Sequence, residues 1–252
     1  WTIVLNINSV GRRHEFLAAL HEAIKAASQR TRYAATYEAV YGCYSGYRKF
    51  LRTAFQMVKD SKQIVDLGCG TGRFGQLVVQ KSPFAKVTMV DRDKEMLRQA
   101  RVKAERYRDR LSVVRQDLSE LMNVPTDKFD AAVCLSSHDG IANFSGFLAN
   151  VHRMLQSGGR LVMGHITPSG EVAELMDAIR VELEAKDKFD VLKTQFHQIE
   201  EYEKRKVLSE DFRLLATDEI LAQLKQHGFR VDQSFRLPGG KGWLAYAVKM
   251  DS

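Results

Sequence analysis

The chain runs to 252 residues, 44% hydrophobic and 27% charged, with a formal net charge of +7; this is ordinary globular composition, suited to one α/β domain with insertions. Its three cysteines, Cys43, Cys69 and Cys134, are too few and too scattered for a disulfide framework or a zinc site, so a reducing, cytoplasmic setting and no metal are expected. No apolar run approaches the ~20 residues that span a bilayer, and no signal-peptide pattern opens the chain, so no membrane partner is expected.

The chain opens on Trp1 rather than Met and is read as a piece of a longer protein. Positive charge gathers in two stretches, with eight basic and three acidic residues between Arg12 and Arg52, and seven and two between Arg98 and Arg115. Such surfaces can steer nucleic acid or acidic substrates. No RNA-stacking motif or basic tail accompanies them, and solvated helix faces are the simpler reading.

Residues 1–60 are expected to form an N-terminal segment and helical cap. Within it Tyr33, Tyr37, Tyr41 and Tyr44 fall four, four and three apart, on one helical face. They are either an aromatic packing stripe or a cover over a cofactor and substrate, and Gly42 and Gly46 offer places to bend. From residue 61 to 252 a single domain is expected. Short apolar runs at Ile64–Leu67, Val87–Val90, Leu111–Val114, Ala131–Leu135 and Leu161–Met163 alternate with amphipathic helices, the pattern of a buried parallel sheet wound by right-handed crossovers. Residues 171–213 read as a charged helical insertion. Thr217 is expected to cap a helix that Gly228 closes. Phe229–Leu237 and Trp243–Met250 then flank Pro238-Gly239-Gly240-Lys241-Gly242, a hairpin that makes the last strand antiparallel. The expected fold is α/β, a doubly wound, mostly parallel seven-stranded sheet with N-terminal and inserted helical caps.

The main signal is Val65-Asp66-Leu67-Gly68-Cys69-Gly70-Thr71-Gly72, directly after a strand and before a helix. Glycines there let the chain turn and a ligand approach the backbone. Gly70-Thr71-Gly72-Arg73-Phe74-Gly75 also satisfies the weak dinucleotide pattern G-x-G-x-x-G. Asp66 separates the two readings, because a carboxylate at the strand end repels a pyrophosphate and suits an ammonium.

Val65–Gly72 resembles the first motif of class I S-adenosylmethionine-dependent methyltransferases, and the resemblance runs in order over most of residues 63–164. It implies that Asp66, Gly68, Cys69, Gly70 and Gly72 cradle S-adenosylmethionine. It implies that Asp91, nineteen residues after Gly72 and beside Arg92, takes the ribose hydroxyls, and that Gln116-Asp117-Leu118 meets the adenine. Met154-Leu155-Gln156-Ser157-Gly158-Gly159 resembles the family's turn into its fifth strand, with Ser157 in place of the usual Pro.

Methyl transfer is an in-line displacement, so a base is needed only where the nucleophile must lose a proton. Two histidines follow strands on the reactive side: His138 after the fourth and His165 at the end of the fifth. Either could be that base or a structural residue; His165 is preferred, and Asp139 either orients a histidine or only begins the following turn. The remaining histidines read as surface or packing. The sequence Leu135-Ser136-Ser137-His138 lacks the (Asp/Asn)-Pro-Pro-(Tyr/Phe) of adenine and amide methylation. A small-molecule acceptor with an O, N or C nucleophile is therefore expected, the alternatives being RNA modification and cofactor binding without turnover.

Overall fold

The computed structural model describes residues 33–166, 172–208, 215–237 and 242–250. The expectations for residues 1–32, for positions 171 and 209–213 of the insertion and for the turn residues 238–241 lie outside these.

Residues 33–43 form α1, followed by α2 (Ser45–Val58). Then come β1 (Gln63–Leu67), α3 (Arg73–Lys81), β2 (Lys86–Asp91), α4 (Lys94–Glu105), β3 (Leu111–Arg115), β4 (Phe129–Leu135), α5 (Phe144–Met154) and β5 (Leu155–His165). After them follow α6 (Val172–Glu184), α7 (Phe189–Val207), α8 (Thr217–Gln226), β6 (Phe229–Arg236) and β7 (Trp243–Lys249). The seven strands lie in the order β3-β2-β1-β4-β5-β7-β6. All the pairings from β3 to β5 are parallel, while β7 runs antiparallel to both neighbours. The expected α/β sheet is the observed one.

Alternation along β1 shows how the sequence builds two layers. Ile64 packs into the apolar layer shared by α2, α3 and α4, while Val65 and Leu67 enter the layer of α5 and α8. Asp66 lies on the first side, nearly inaccessible at 2% exposure. Strand order reverses between β1 and β4, so the loops leaving these strands part and open a crevice at their carboxyl ends.

Two local expectations change. Thr217 is the first residue of α8, whose cap position is Ala216 with no side-chain cap bond. Gly228 closes the helix with φ +77°, as expected. The tyrosine stripe is interrupted at its end: α1 stops at residue 43, and Tyr44 is extended (φ −79°, ψ 119°) where α2 begins. A side chain on Gly42 would collide with the Arg73 guanidinium, and one on Gly46 with the Tyr44 ring. The described part of the insertion is helical, α6 packing on α7.

Candidate active site

A cavity of about 670 Å³ opens at the carboxyl ends of β1, β2 and β4. One half is built by the loop after β1. Gly68 and Gly70 sit in its wall with φ +73° and +53°, and a Cβ on Gly70 would project into open space. Gly72 also has positive φ, but it is not on the wall. Its missing Cβ lets α4 close in, since one there would stand 3.0 Å from both Ala100 and Met89.

Asp66 and Asp91 point into this half. Burial, with a smaller push from Asp91, raises the Asp66 carboxyl to about 7, and its Oδ2 has no partner. A buried acid with an orphaned oxygen is costly unless a cation or donor meets it. Asp91 accepts the Gly70 N–H on Oδ2 (2.9 Å) and the Asp93 N–H on Oδ1 (2.8 Å); burial also raises its pKa. Asp117 caps the following 3-10 turn through Ser119 N–H and accepts from Arg92 at 3.1 Å. Arg92, Asp117, Leu118 and Cys69 all reach the cavity wall. Gln116 does not; its Nε2 donates back to the Glu120 carbonyl.

Beneath the other half lie His138, Asp139 and His165. β4 ends in a tight turn in which Ser136 takes φ +57°, a strained value for a residue with a side chain. Two hydrogen bonds fix it: Ile166 N–H donates to Ser136 Oγ (3.1 Å), and Ser137 Oγ donates to the Leu67 carbonyl (3.0 Å). The turn presents Asp139 to His165, whose Nε2 is hydrogen-bonded to Asp139 Oδ2. His138 stands edge-on to His165, ring centroids 5.0 Å apart, with its Nε2 3.6 Å from Asp139 Oδ1.

The two imidazoles differ. His138 is 1% exposed, and burial, then the neighbouring His165, push its pKa down to about 3. Such a ring stays neutral and out of a substrate's reach. His165 keeps 17% of its side chain accessible. Burial raises the Asp139 pKa most, but the bond from His165 together with the charges of His138, His165 and Lys206 outweighs it, and the net shift is downward. An ionised Asp139 makes Nε2 the protonated nitrogen of His165 and leaves Nδ1, which has no partner, as the basic one. The three donor sets lie within 4.8 Å of one another, a group that a transition ion accepts. However, the carboxylate is taken up by His165, and neither Nδ1 has the brace usual for a metal-bound ring. Lys206 adds a nearby positive charge. The arrangement is a hydrogen-bonded dyad with a neutral histidine behind it. Neither histidine forms the cavity wall itself; Ser136, Ser137 and Gly140 of the same turn do.

Helices close the top. Tyr33 and Tyr37 line the cavity, whereas Tyr41 and Tyr44 pack behind them. Tyr33 stacks on Tyr202 of α7 with centroids 3.6 Å apart, and the Tyr33 and Tyr41 hydroxyls donate to Glu203. Tyr47, Tyr202 and Lys206 are wall residues that sequence reading missed. Tyr47 continues the stripe at a spacing broken by the helix end. Tyr202 and Lys206 lie far along the chain, and only their shared face of α7, four residues apart, could have hinted at a pair.

Residues 64–159 match the model of a family described as a methyltransferase domain. An uncharacterised protein of Haemophilus influenzae is 32% identical over 110 residues, which cover 42% of this chain and 43% of the relative. The demethylmenaquinone methyltransferase of Thermus thermophilus is 32% identical over 110 residues, covering 44% of this chain and 50% of that one. The chain thus matches half or less of the length of these relatives. Among solved structures, a 1,6-didemethyltoxoflavin-N1-methyltransferase from Burkholderia thailandensis, bound to S-adenosylhomocysteine, superposes with TM-score 0.60 at 18% identity. That likeness spans 94% of this chain and 90% of the other.

Proposed function

We propose that residues 64–159, which match a methyltransferase-domain model, form a class I, S-adenosylmethionine-dependent methyltransferase domain, and that the chain methylates a small-molecule acceptor. The observation that carries this reading is Asp66: a fully buried carboxyl with an unpartnered oxygen, facing the cavity beside a glycine loop. A pyrophosphate there would meet a negative charge, whereas the ammonium of an amino acid moiety would satisfy it. The open face of Gly70 and the carboxyl of Asp91 suit the adjoining sugar.

When bound, S-adenosylmethionine supplies a methyl carbon on a positively charged sulfur. The chain's own part is alignment and one proton. The tyrosines and Leu51 exclude water from the acceptor half, and the Ser136 turn fixes the Asp139–His165 pair at its floor. Where the acceptor must lose a proton, the Asp139–His165 pair behind the Ser136–Gly140 wall is the base, and His165 Nδ1, covered in the free protein, must be uncovered to receive it. S-adenosylmethionine would supply the methyl group and be left as S-adenosylhomocysteine, while His165 would hold the acceptor's proton. Asp139 stabilises the imidazolium.

The test is conversion of S-adenosylmethionine to S-adenosylhomocysteine with a metabolite panel and, separately, with bulk RNA. Turnover on metabolites is expected. Turnover on RNA alone would replace the substrate class, and tight cofactor binding with no turnover on either would leave a binding protein.

A further inference from the structure

The acceptor half of the cavity is lined by rings set at fixed angles. Tyr37 of α1 and Tyr47 of α2 both reach its wall. Their centroids lie 6.0 Å apart and their planes meet at 86°, so together they form a corner. Tyr41, buried and off the wall, stacks on Tyr37 from behind, at 4.4 Å and 29°. The same ring meets Tyr47 edge-on, at 5.5 Å and 65°. Neither ring of the corner can turn without breaking a contact with Tyr41. Leu51 and Ile141 continue the wall with apolar side chains.

A flat guest fits such a corner in a way that other shapes do not. A ring laid parallel to Tyr37 continues the Tyr41–Tyr37 stack, and the 86° angle sets it edge-on to Tyr47 at the same time. Both are arrangements that aromatic pairs favour. A saturated ring or chain covers a similar area and gains neither.

The wall also disfavours charge on the guest. Among the described residues, its carboxylates and arginines lie at the ends of β1, β2 and β3, which leaves Lys206 of α7, and that side chain is not free. A carboxylate would have to displace what Lys206 already meets. A cationic amine would be drawn to the ring faces. However, Glu203, the carboxylate beside the tyrosines, is off the wall and accepts the Tyr33 and Tyr41 hydroxyls. Either ion would lose water without gaining a counter-charge of its own.

We propose that the acceptor is an uncharged aromatic compound, its hydroxyl or amino group on a planar ring that sits in the Tyr37–Tyr47 corner. This rests on the methyl-transfer reading above. Tyr37 and Tyr47 then determine acceptor specificity through their rings, and their hydroxyls take no part in the transfer.

The experiment is titration calorimetry on protein saturated with S-adenosylhomocysteine, using 2-naphthol, decahydro-2-naphthol, 6-hydroxy-2-naphthoate and 6-aminomethyl-2-naphthol. The uncharged aromatic probe should bind about tenfold or more tightly than its saturated counterpart, the effect of two ring pairs, and more tightly than either ion. Tyr47→Phe should keep the preference over the saturated probe, and Tyr47→Leu should lose most of it. Tyr37→Phe and Tyr37→Leu should behave in the same way, so the comparison stands if one leucine variant fails to fold, which binding of S-adenosylhomocysteine checks. The proposal is overturned if the saturated probe or an ion binds as tightly as 2-naphthol, or if no probe binds. It is equally overturned if the preference survives in the leucine variants or is lost in the phenylalanine ones. Failure of the unmodified protein to bind S-adenosylhomocysteine would instead overturn the methyl-transfer reading, and this one with it.

Discussion

The two halves of the cavity are made in different ways. The cofactor half comes from three successive strand ends: the loop after β1 and the ends of β2 and β3 supply glycines and carboxylates that are held by backbone hydrogen bonds. The acceptor half is assembled from α1, α2, α7, the turn after β4 and the end of β5, so its groups come from positions far apart in the chain. The first arrangement is rigid and readable in a single stretch of sequence. The second depends on how helices pack, and can vary without disturbing the first.

The largest expected effect lies on the acceptor side. His165→Gln should lower kcat by about 10²–10⁴ while leaving cofactor affinity nearly unchanged. His138→Gln should leave turnover close to normal, because that ring is buried and neutral. It should instead change acid stability. A folded pKa near 3 lies below the unfolded value of 6.5, so the unfolded chain binds the extra proton between those values and stability is lost as pH falls through that window. If His138→Gln loses the activity and His165→Gln keeps it, the two roles are exchanged.

On the cofactor side, Asp91→Ala should weaken S-adenosylhomocysteine by about 10–150-fold, from 1.5–3 kcal/mol for each charged hydrogen bond lost. Because Asp91 also accepts the Gly70 N–H, hydrogen exchange in the glycine loop should rise in the same variant. Unchanged affinity would place the ribose elsewhere and break the division between the halves.

How much of this was legible follows the same line. The sheet, its antiparallel last strand and the Val65–Gly72 loop could be read locally, because each depends on neighbours a few residues away. Gly72 shows the limit even there. Its pattern is a ligand loop's, but its missing Cβ lets Ala100 of α4 and Met89 of β2 close on the loop. His138 and His165 could be placed at strand ends but not told apart, since burial and the Asp139 contact are tertiary. Tyr202 and Lys206 carried no local signal beyond their four-residue spacing on α7.

Asp66 should give a smaller, pH-dependent effect. Its folded pKa of about 7 lies above its ordinary 3.8, so the free protein binds an extra proton between them and loses stability as pH rises through that window. Cofactor binding needs the ionised form, so affinity should rise with pH up to about 7 and then level off. Asp66→Asn should abolish that dependence, weaken binding about tenfold or more at pH 8, and make the free protein more stable above pH 7. Thermal melts with and without S-adenosylhomocysteine at pH 5.5 and 8 read both signs. A variant less stable when free and equally tight in binding would show that the carboxyl serves the fold rather than the ligand.

The smallest effect tests whether the halves communicate. Glu38 of α1 pairs with Arg73 at 2.7 Å and with Lys103 at 3.1 Å. Arg73 also donates to the Glu38 carbonyl, and Lys103 to the Thr71 carbonyl within the glycine loop. This cluster fastens the tyrosine helix to the loop that would cradle the cofactor. Burial opposes ionisation of Glu38, but the nearby Thr71 hydroxyl and the two cations lower its pKa. Its contribution is therefore present above the unfolded value of 4.5 and lost as pH falls through the folded one. Glu38→Gln should cost about 1 kcal/mol, since the groups are only partly shielded from solvent. It should also speed hydrogen exchange over residues 33–43 and weaken S-adenosylhomocysteine a few-fold, although Glu38 does not line the cavity. The linkage must hold in reverse, so ligand should slow exchange in that helix in the unmodified protein and do so less in the variant. If exchange over 33–43 is the same with and without ligand, the cap is fixed packing and the two halves act independently.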